Sequence, residues 1–185
     1  MQRKSLPTVL AVVSIFGLGF VALPGAAAAE SQSPKEEFTY CSIDLDTDAK
    51  VCAASADVLA DAVLRQTSTA LYDGRKALVS EAAAKDAARA SYVVGQVFSY
   101  PSYGGSMLQF TRSSDCASLA SGTVWAHADL ATVGFNNDID SFKSFSGCST
   151  KVFENTYYGG SSYGWATNAT SIGVMANQAS SIQWH

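Results

Sequence analysis

The segment Gly160-Ser161-Ser162-Tyr163-Gly164 spells G-x-S-x-G, the pattern that sets a serine nucleophile on a sharp strand-to-helix turn. In that arrangement an acid and a histidine base follow the serine in the chain. No Asp or Glu follows Ser162, and the one later histidine is His185. The segment therefore reads as a glycine-rich turn. Asp44-Leu45-Asp46-Thr47-Asp48 opens like an EF-hand loop, but that loop needs Gly next and Glu at its twelfth position, where Ala49 and Ser55 stand. It reads as a solvated turn. His127 lies beside Trp125 with no nucleophilic cysteine to serve, and reads as structural. No enzyme is expected.

Four cysteines remain to be used: Cys41, Cys52, Cys116 and Cys148. Zinc is disfavoured, because there is no C-x-x-C and the histidines are only His127 and His185. An even count in an exported chain reads as two disulfides. Three pairings are open; Cys41–Cys52 with Cys116–Cys148 is preferred because each pair falls within one segment. Export itself is read from residues 1–29. Arg3 and Lys4 precede an apolar stretch from Val9 to Leu23, then Pro24-Gly25 and Ala26–Ala29 before Glu30, the layout of a signal peptide. Gly17, Gly19 and Pro24 make that stretch a poor membrane span, and no later segment is apolar enough for one. The net charge is −4, and cleavage would remove two basic residues and no acidic one. This balance argues against nucleic acid and gives no polybasic patch for membranes. A secreted monomer is expected.

Residues 30–92 are read as an N-terminal extension. Glu30–Phe38 is polar. Tyr40–Ala53 is expected to form a hairpin turning at Asp46-Thr47, which puts Cys41 opposite Cys52. Ser55 is a candidate cap for a helix whose apolar face is Val58, Leu59, Ala62 and Val63. A second, alanine-rich helix is expected from about Arg75 to Ser91, with a thin apolar face suited to a connector.

From about Tyr92 the composition shifts to Gly, aromatic, Ser and β-branched residues in short alternating runs, an all-β signature. Here the chain repeats itself. Val97-Phe98-Ser99-Tyr100-Pro101-Ser102-Tyr103-Gly104-Gly105-Ser106 matches Val152-Phe153-Glu154-Asn155-Thr156-Tyr157-Tyr158-Gly159-Gly160-Ser161, 55 residues on. A second landmark, Asn136-Asn137-Asp138-Ile139-Asp140-Ser141, matches Ala176-Asn177-Gln178-Ala179-Ser180-Ser181, 40 residues on. The first copy thus carries an insert around Cys116 to His127. Each copy reads as a folded-over hairpin, with Gly supplying positive φ and a Tyr ring packing on the bend, then an oxygen-rich loop and a closing strand. Four strands per copy make a Greek key, and two copies make a sandwich.

These landmarks resemble the paired Greek-key motifs of βγ-crystallins, over residues 93–185. The leader and the cysteines resemble secreted actinobacterial members, some of them peptidase inhibitors; a killer-toxin-like protein is another relative. The resemblance implies a mainly β, two-motif Greek-key sandwich that binds Ca²⁺ modestly. The implied ligands are Asn136, Asn137, Asp138, Asp140 and Ser141 in the first loop, Asn177, Gln178, Ser180 and Ser181 in the second, and Glu154 in the second hairpin. Asp140 stands where Ser or Thr is usual, and Ala176 replaces an Asn or Asp. The partners it implies are an extracellular peptidase, met by the insert from Ser113 to Asp129, or a cell-surface glycan. The repeat accounts for Phe98, Tyr103, Phe153, Tyr158 and Trp184 as packing. Tyr100, Tyr157, Tyr163, Trp125 and Trp165 are left as candidates for a contact surface.

Overall fold

The structure is a computed structural model that describes residues 37–185. The expected leader, residues 1–29, and most of the polar segment after it lie outside the described residues. Among the described residues no helix is long and apolar enough to cross a membrane.

Two sheets carry the fold. The first copy of the repeat supplies β5 (Arg89–Tyr100), β6 (Gly104–Arg112), β7 (Trp125–His127) and β8 (Ser141–Ser144), and the second supplies β9 (Thr150–Phe153), β10 (Ser162–Ala166), β11 (Asn168–Ala169) and β12 (Ser181–Trp184). β11 pairs with β8, β8 with β5 and β5 with β6 in the first sheet; the second runs β10-β9-β12-β7. Each copy therefore lends its third strand to the other copy's sheet. This exchange locks the two Greek keys together, since neither sheet is complete without the other motif. Val97, Leu108, Phe110, Phe142, Val152, Ile182 and Trp184 fill the space between the sheets, with Leu130, Ile139 and Ile172 from the loops. Alternation places them there: Val97 faces inward beside Phe98 facing outward, and Leu108 beside Met107 likewise.

The residues before 93 are hydrogen-bonded into this first sheet. β1 (Tyr40–Asp44) runs parallel to β6, and β2 (Lys50–Ala53) completes a hairpin at its edge. Cys41 and Cys52 are cross-strand partners joined by a disulfide with Cα atoms 4.1 Å apart. β3 (Thr69–Asp73) pairs in parallel with the first residues of β5. Between them α1 (Leu59–Thr67) lays Leu59, Ala62 and Val63 on the outer face of the sheet, against Val51, Leu71, Phe98 and Met107. Val58, expected on that apolar face, belongs to the 3-10 turn before the helix and is exposed.

The alanine-rich helix is much shorter than expected. It spans only Glu81–Asp86 (α2), capped by Ser80, whose Oγ accepts from the Ala83 N–H at 3.2 Å. Lys76-Ala77 pairs with β3 as β4, and Arg89–Tyr92 joins β5. A helix that buries no residue has only propensity to hold it, and here the strand edges of β3 offer competing backbone partners. The second disulfide, Cys116–Cys148, ties the insert of the first copy to the start of the second, with Cα atoms 4.9 Å apart.

Candidate cation-binding loops

Both hairpins are folded over in the same way. Ser102 and Tyr103 in one, and Tyr157 and Tyr158 in the other, hold positive φ in succession, and Gly105 and Gly160 follow at +77° and +75°. A Cβ on Gly105 would lie 2.3 Å from the Ser99 hydroxyl, so a bare backbone is required there. Tyr103 packs edge-on to Phe98 at 5.6 Å, and Tyr158 to Phe153 at 5.8 Å.

The oxygen-rich loops meet these hairpins and each other about an approximate twofold. Ser141 is fully buried; its hydroxyl donates to the Tyr100 carbonyl at 2.7 Å and accepts from the Tyr103 N–H at 3.0 Å. Ser181 is equally buried, donating to Asn155 at 2.6 Å and accepting from Tyr158 at 3.0 Å. The Asp140 N–H donates to the Phe98 carbonyl, and the Ser180 N–H to that of Phe153. Across the axis, the Asn137 N–H donates to Ala179 at 2.9 Å and the Asn177 N–H to Ile139 at 3.0 Å. Both asparagines sit at left-handed φ, 54° and 57°, a conformation their side chains tolerate better than most. The hairpin tips reach across to the residues that follow the exchanged strands, the Ser102 N–H donating to the Thr170 carbonyl and the Tyr157 N–H to that of Ala128.

Two Greek keys with folded hairpins, exchanged third strands and loops paired across a twofold constitute one arrangement. The fold is βγ-crystallin-like. No family model and no curated protein matches the chain. Among solved structures it is similar to the N-terminal domain of protein S, at 26% identity and TM-score 0.38 over 50% of this chain and 94% of that one. A βγ-crystallin domain from Clostridium beijerinckii is 18% identical, with TM-score 0.38 over 50% of this chain and 97% of that one. A βγ-crystallin from Ciona intestinalis is 26% identical, with TM-score 0.33 over 48% and 94%.

Within this βγ-crystallin-like fold the expected ligands divide into four groups. Ser141 and Ser181 face inward, and their hydroxyls already serve the hairpins. Asn136, Asn137, Asn177 and Gln178 are exposed on the loops; the Asn137 Oδ1 accepts from the Ser180 hydroxyl at 3.3 Å, and the Gln178 amide donates to Val174. Asp138 and Asp140 stand apart. Asp140 is 8% exposed, and its Oδ1 is buried without a hydrogen-bond partner. Burial and the neighbouring Asp140 carboxylate raise the Asp138 pKa above its ordinary value. The Asp138 carboxylate thus lies in a partly dry site next to that of Asp140. Glu154 is placed differently: its Oε2 accepts from the Ser161 N–H at 2.9 Å, which lowers its pKa. Ser99 does the same for Ser106 at 2.9 Å in the first hairpin, so Glu154 has a local structural role.

The remaining motifs resolve locally. Ser162 opens β10, a strand leading into further strand, with no helix behind it. Asp44 accepts from the Asp46 N–H at 2.9 Å, while the Asp46 carboxylate holds Arg112 and the Ser113 N–H. Burial works against ionisation of Asp46, but the bonds from Ser113 and the Arg112 charge prevail and lower its pKa. His127 Nε2 lies 3.0 Å from the Thr132 hydroxyl. Among the described residues no three His, Cys, Asp or Glu side chains cluster as metal ligands, so any ion here relies on amide, hydroxyl and carbonyl oxygens beside one or two carboxylates. Sequence reasoning missed the four main-chain groups that pair the loops; every residue carries the same N–H and C=O, so no side-chain pattern marks them.

Proposed function

We propose that the chain is an exported, non-catalytic βγ-crystallin-like protein that binds calcium at the loop of residues 136–141. One observation carries this reading: a buried Asp140 carboxylate oxygen with no partner, next to a second carboxylate at Asp138. A buried charge without compensation is costly, whereas a hard divalent cation takes carboxylate, amide and carbonyl oxygens together. Asn136 and Asn137 supply amide oxygens in the same loop. The second loop has Ala176 and Ser180 at the positions of Asn136 and Asp140, carries no carboxylate, and binds more weakly. Calorimetric titration of the exported protein with Ca²⁺ tests this. Heat of binding and a rise in Tm are expected, both lost in Asp140→Ala; no heat and no rise at millimolar Ca²⁺ would sink the reading.

A second reading rests on the insert. Residues 120–124 are exposed, between Cys116, held by its disulfide, and buried Trp125. A loop fixed at both ends and open at its crest suits entry into a peptidase cleft. Inhibition assays against metallo- and serine peptidases at micromolar protein decide it; an inactive panel removes it.

A further inference from the structure

The two copies part company in their second strands. In the first, β5 and β6 pair Val97 with Leu108, Gln96 with Gln109 and Gly95 with Phe110. In the second, β9 and β10 pair Val152 with Tyr163 and Lys151 with Gly164, but Thr150 with Ala166. Ala166 stands where Phe110 stands, and Trp165 is an added residue in a bulge. Bulges re-aim side chains. This one needs Gly164, whose φ is +120° and where a Cβ would lie 2.3 Å from the Thr150 carbonyl oxygen. The result is that Phe110 is fully buried while Trp165 is 39% exposed.

Trp165 does not stand alone. The His185 ring meets it edge-on at 4.2 Å, and the Lys151 Nζ lies 6.0 Å from it. The same ammonium sits 5.1 Å from the Phe153 ring, on which Tyr158 packs. Lys151 alternates with core-facing Val152, so it lies on the outer face of the second sheet. Among the described residues no carboxylate and no hydrogen-bond acceptor pairs with its ammonium. The four strands of this sheet contain no Asp or Glu, in a chain of net charge −4. α1 covers the outer face of the first sheet; among the described residues no α-helix packs on that of the second.

An outward-turned indole beside a cation that has no carboxylate partner, on strands that carry no Asp or Glu, matches one ligand chemistry well. The C–H face of a sugar ring covers the indole, and a sugar carboxylate takes the ammonium. Nucleic acid suits it poorly, because one lysine neutralises too little backbone charge. We propose that the outer face of the second sheet, centred on Trp165 and Lys151, binds an acidic polysaccharide.

The test is titration of the exported protein with polygalacturonate in EDTA, so that no ion at the loops takes part, with dextran as the neutral control. Saturable binding to polygalacturonate is expected, weakened by salt and about tenfold weaker in Trp165→Ala and in Lys151→Gln, with melting curves unchanged. Absence of binding, equal binding to dextran, or parental affinity in both folded variants overturns the proposal. Trp165→Phe, which keeps a ring in the bulge, guards against a folding defect in the alanine variant and is expected to retain most of the affinity.

Discussion

Removing one buried hydroxyl tests the account of the hairpins most directly. In Ser181→Ala the Asn155 carbonyl loses a donor at 2.6 Å and the Tyr158 N–H loses its acceptor at 3.0 Å, at a residue with no solvent exposure. Leaving a buried polar group unmatched costs about 1–3 kcal/mol, and the methyl group that remains cannot bond either one. Because these two backbone groups are only partly buried, the lower half of the range applies to each, giving about 2–4 kcal/mol in total. For a domain of this size that lowers Tm by roughly 5–15 °C. Ser141→Ala removes the equivalent pair at 2.7 and 3.0 Å and is expected to cost a similar amount. Urea unfolding in EDTA, read as a shift in midpoint at constant slope, measures both. A loss below about 0.5 kcal/mol in both variants would show that the serines do not hold the hairpins.

Other outcomes follow from the same geometry. Asp138 has its folded-state pKa raised above 3.8 by burial and by Asp140, so the folded protein holds that proton more tightly than the unfolded one. Its contribution to stability is full below about pH 3.8 and is lost as the pH rises through the raised value. In EDTA, Asp138→Asn is expected to flatten the fall in unfolding free energy over that window, and an unchanged profile counts against the carboxylate pair. Gly164→Ala forces a methyl group toward the Thr150 carbonyl at a φ of +120° and is expected to cost about 2–4 kcal/mol, with a shift in Trp165 fluorescence. Replacing Cys116 and Cys148 by alanine opens a loop with a sequence separation of 32 and is expected to cost about 3–4 kcal/mol in denaturant unfolding. The corresponding change at Cys41 and Cys52, with a separation of 11, is expected to cost less.

Much of this protein was legible in local patterns. The repeated aromatic–Gly–Gly hairpin is local, because its bend and its ring packing lie within about ten residues, and both copies form it at Tyr103 and Tyr158. The hairpin facing of Cys41 and Cys52 is local as well, since strand alternation and turn position determine it. α1 was readable from its apolar spacing at Leu59, Ala62 and Val63. Other features depend on neighbours far along the chain. The exchange of third strands could not be read, because β7 and β11 are three and two residues long and carry no pattern of their own. The alanine-rich stretch yielded to strand pairing with β3, a partner its own residues do not specify. The loop residues all looked like oxygen donors in sequence. Tertiary packing turned Ser141 and Ser181 inward to the hairpins and left Asp140 buried without a partner. A single added residue in β10 set Trp165 on the outer face, because side chains alternate with period two and one insertion reverses the face. Residue types and short-range spacing thus determined the repeat unit and its disulfide hairpin. Which oxygens remain free for an ion, and which aromatic ring meets solvent, was decided by long-range register and burial.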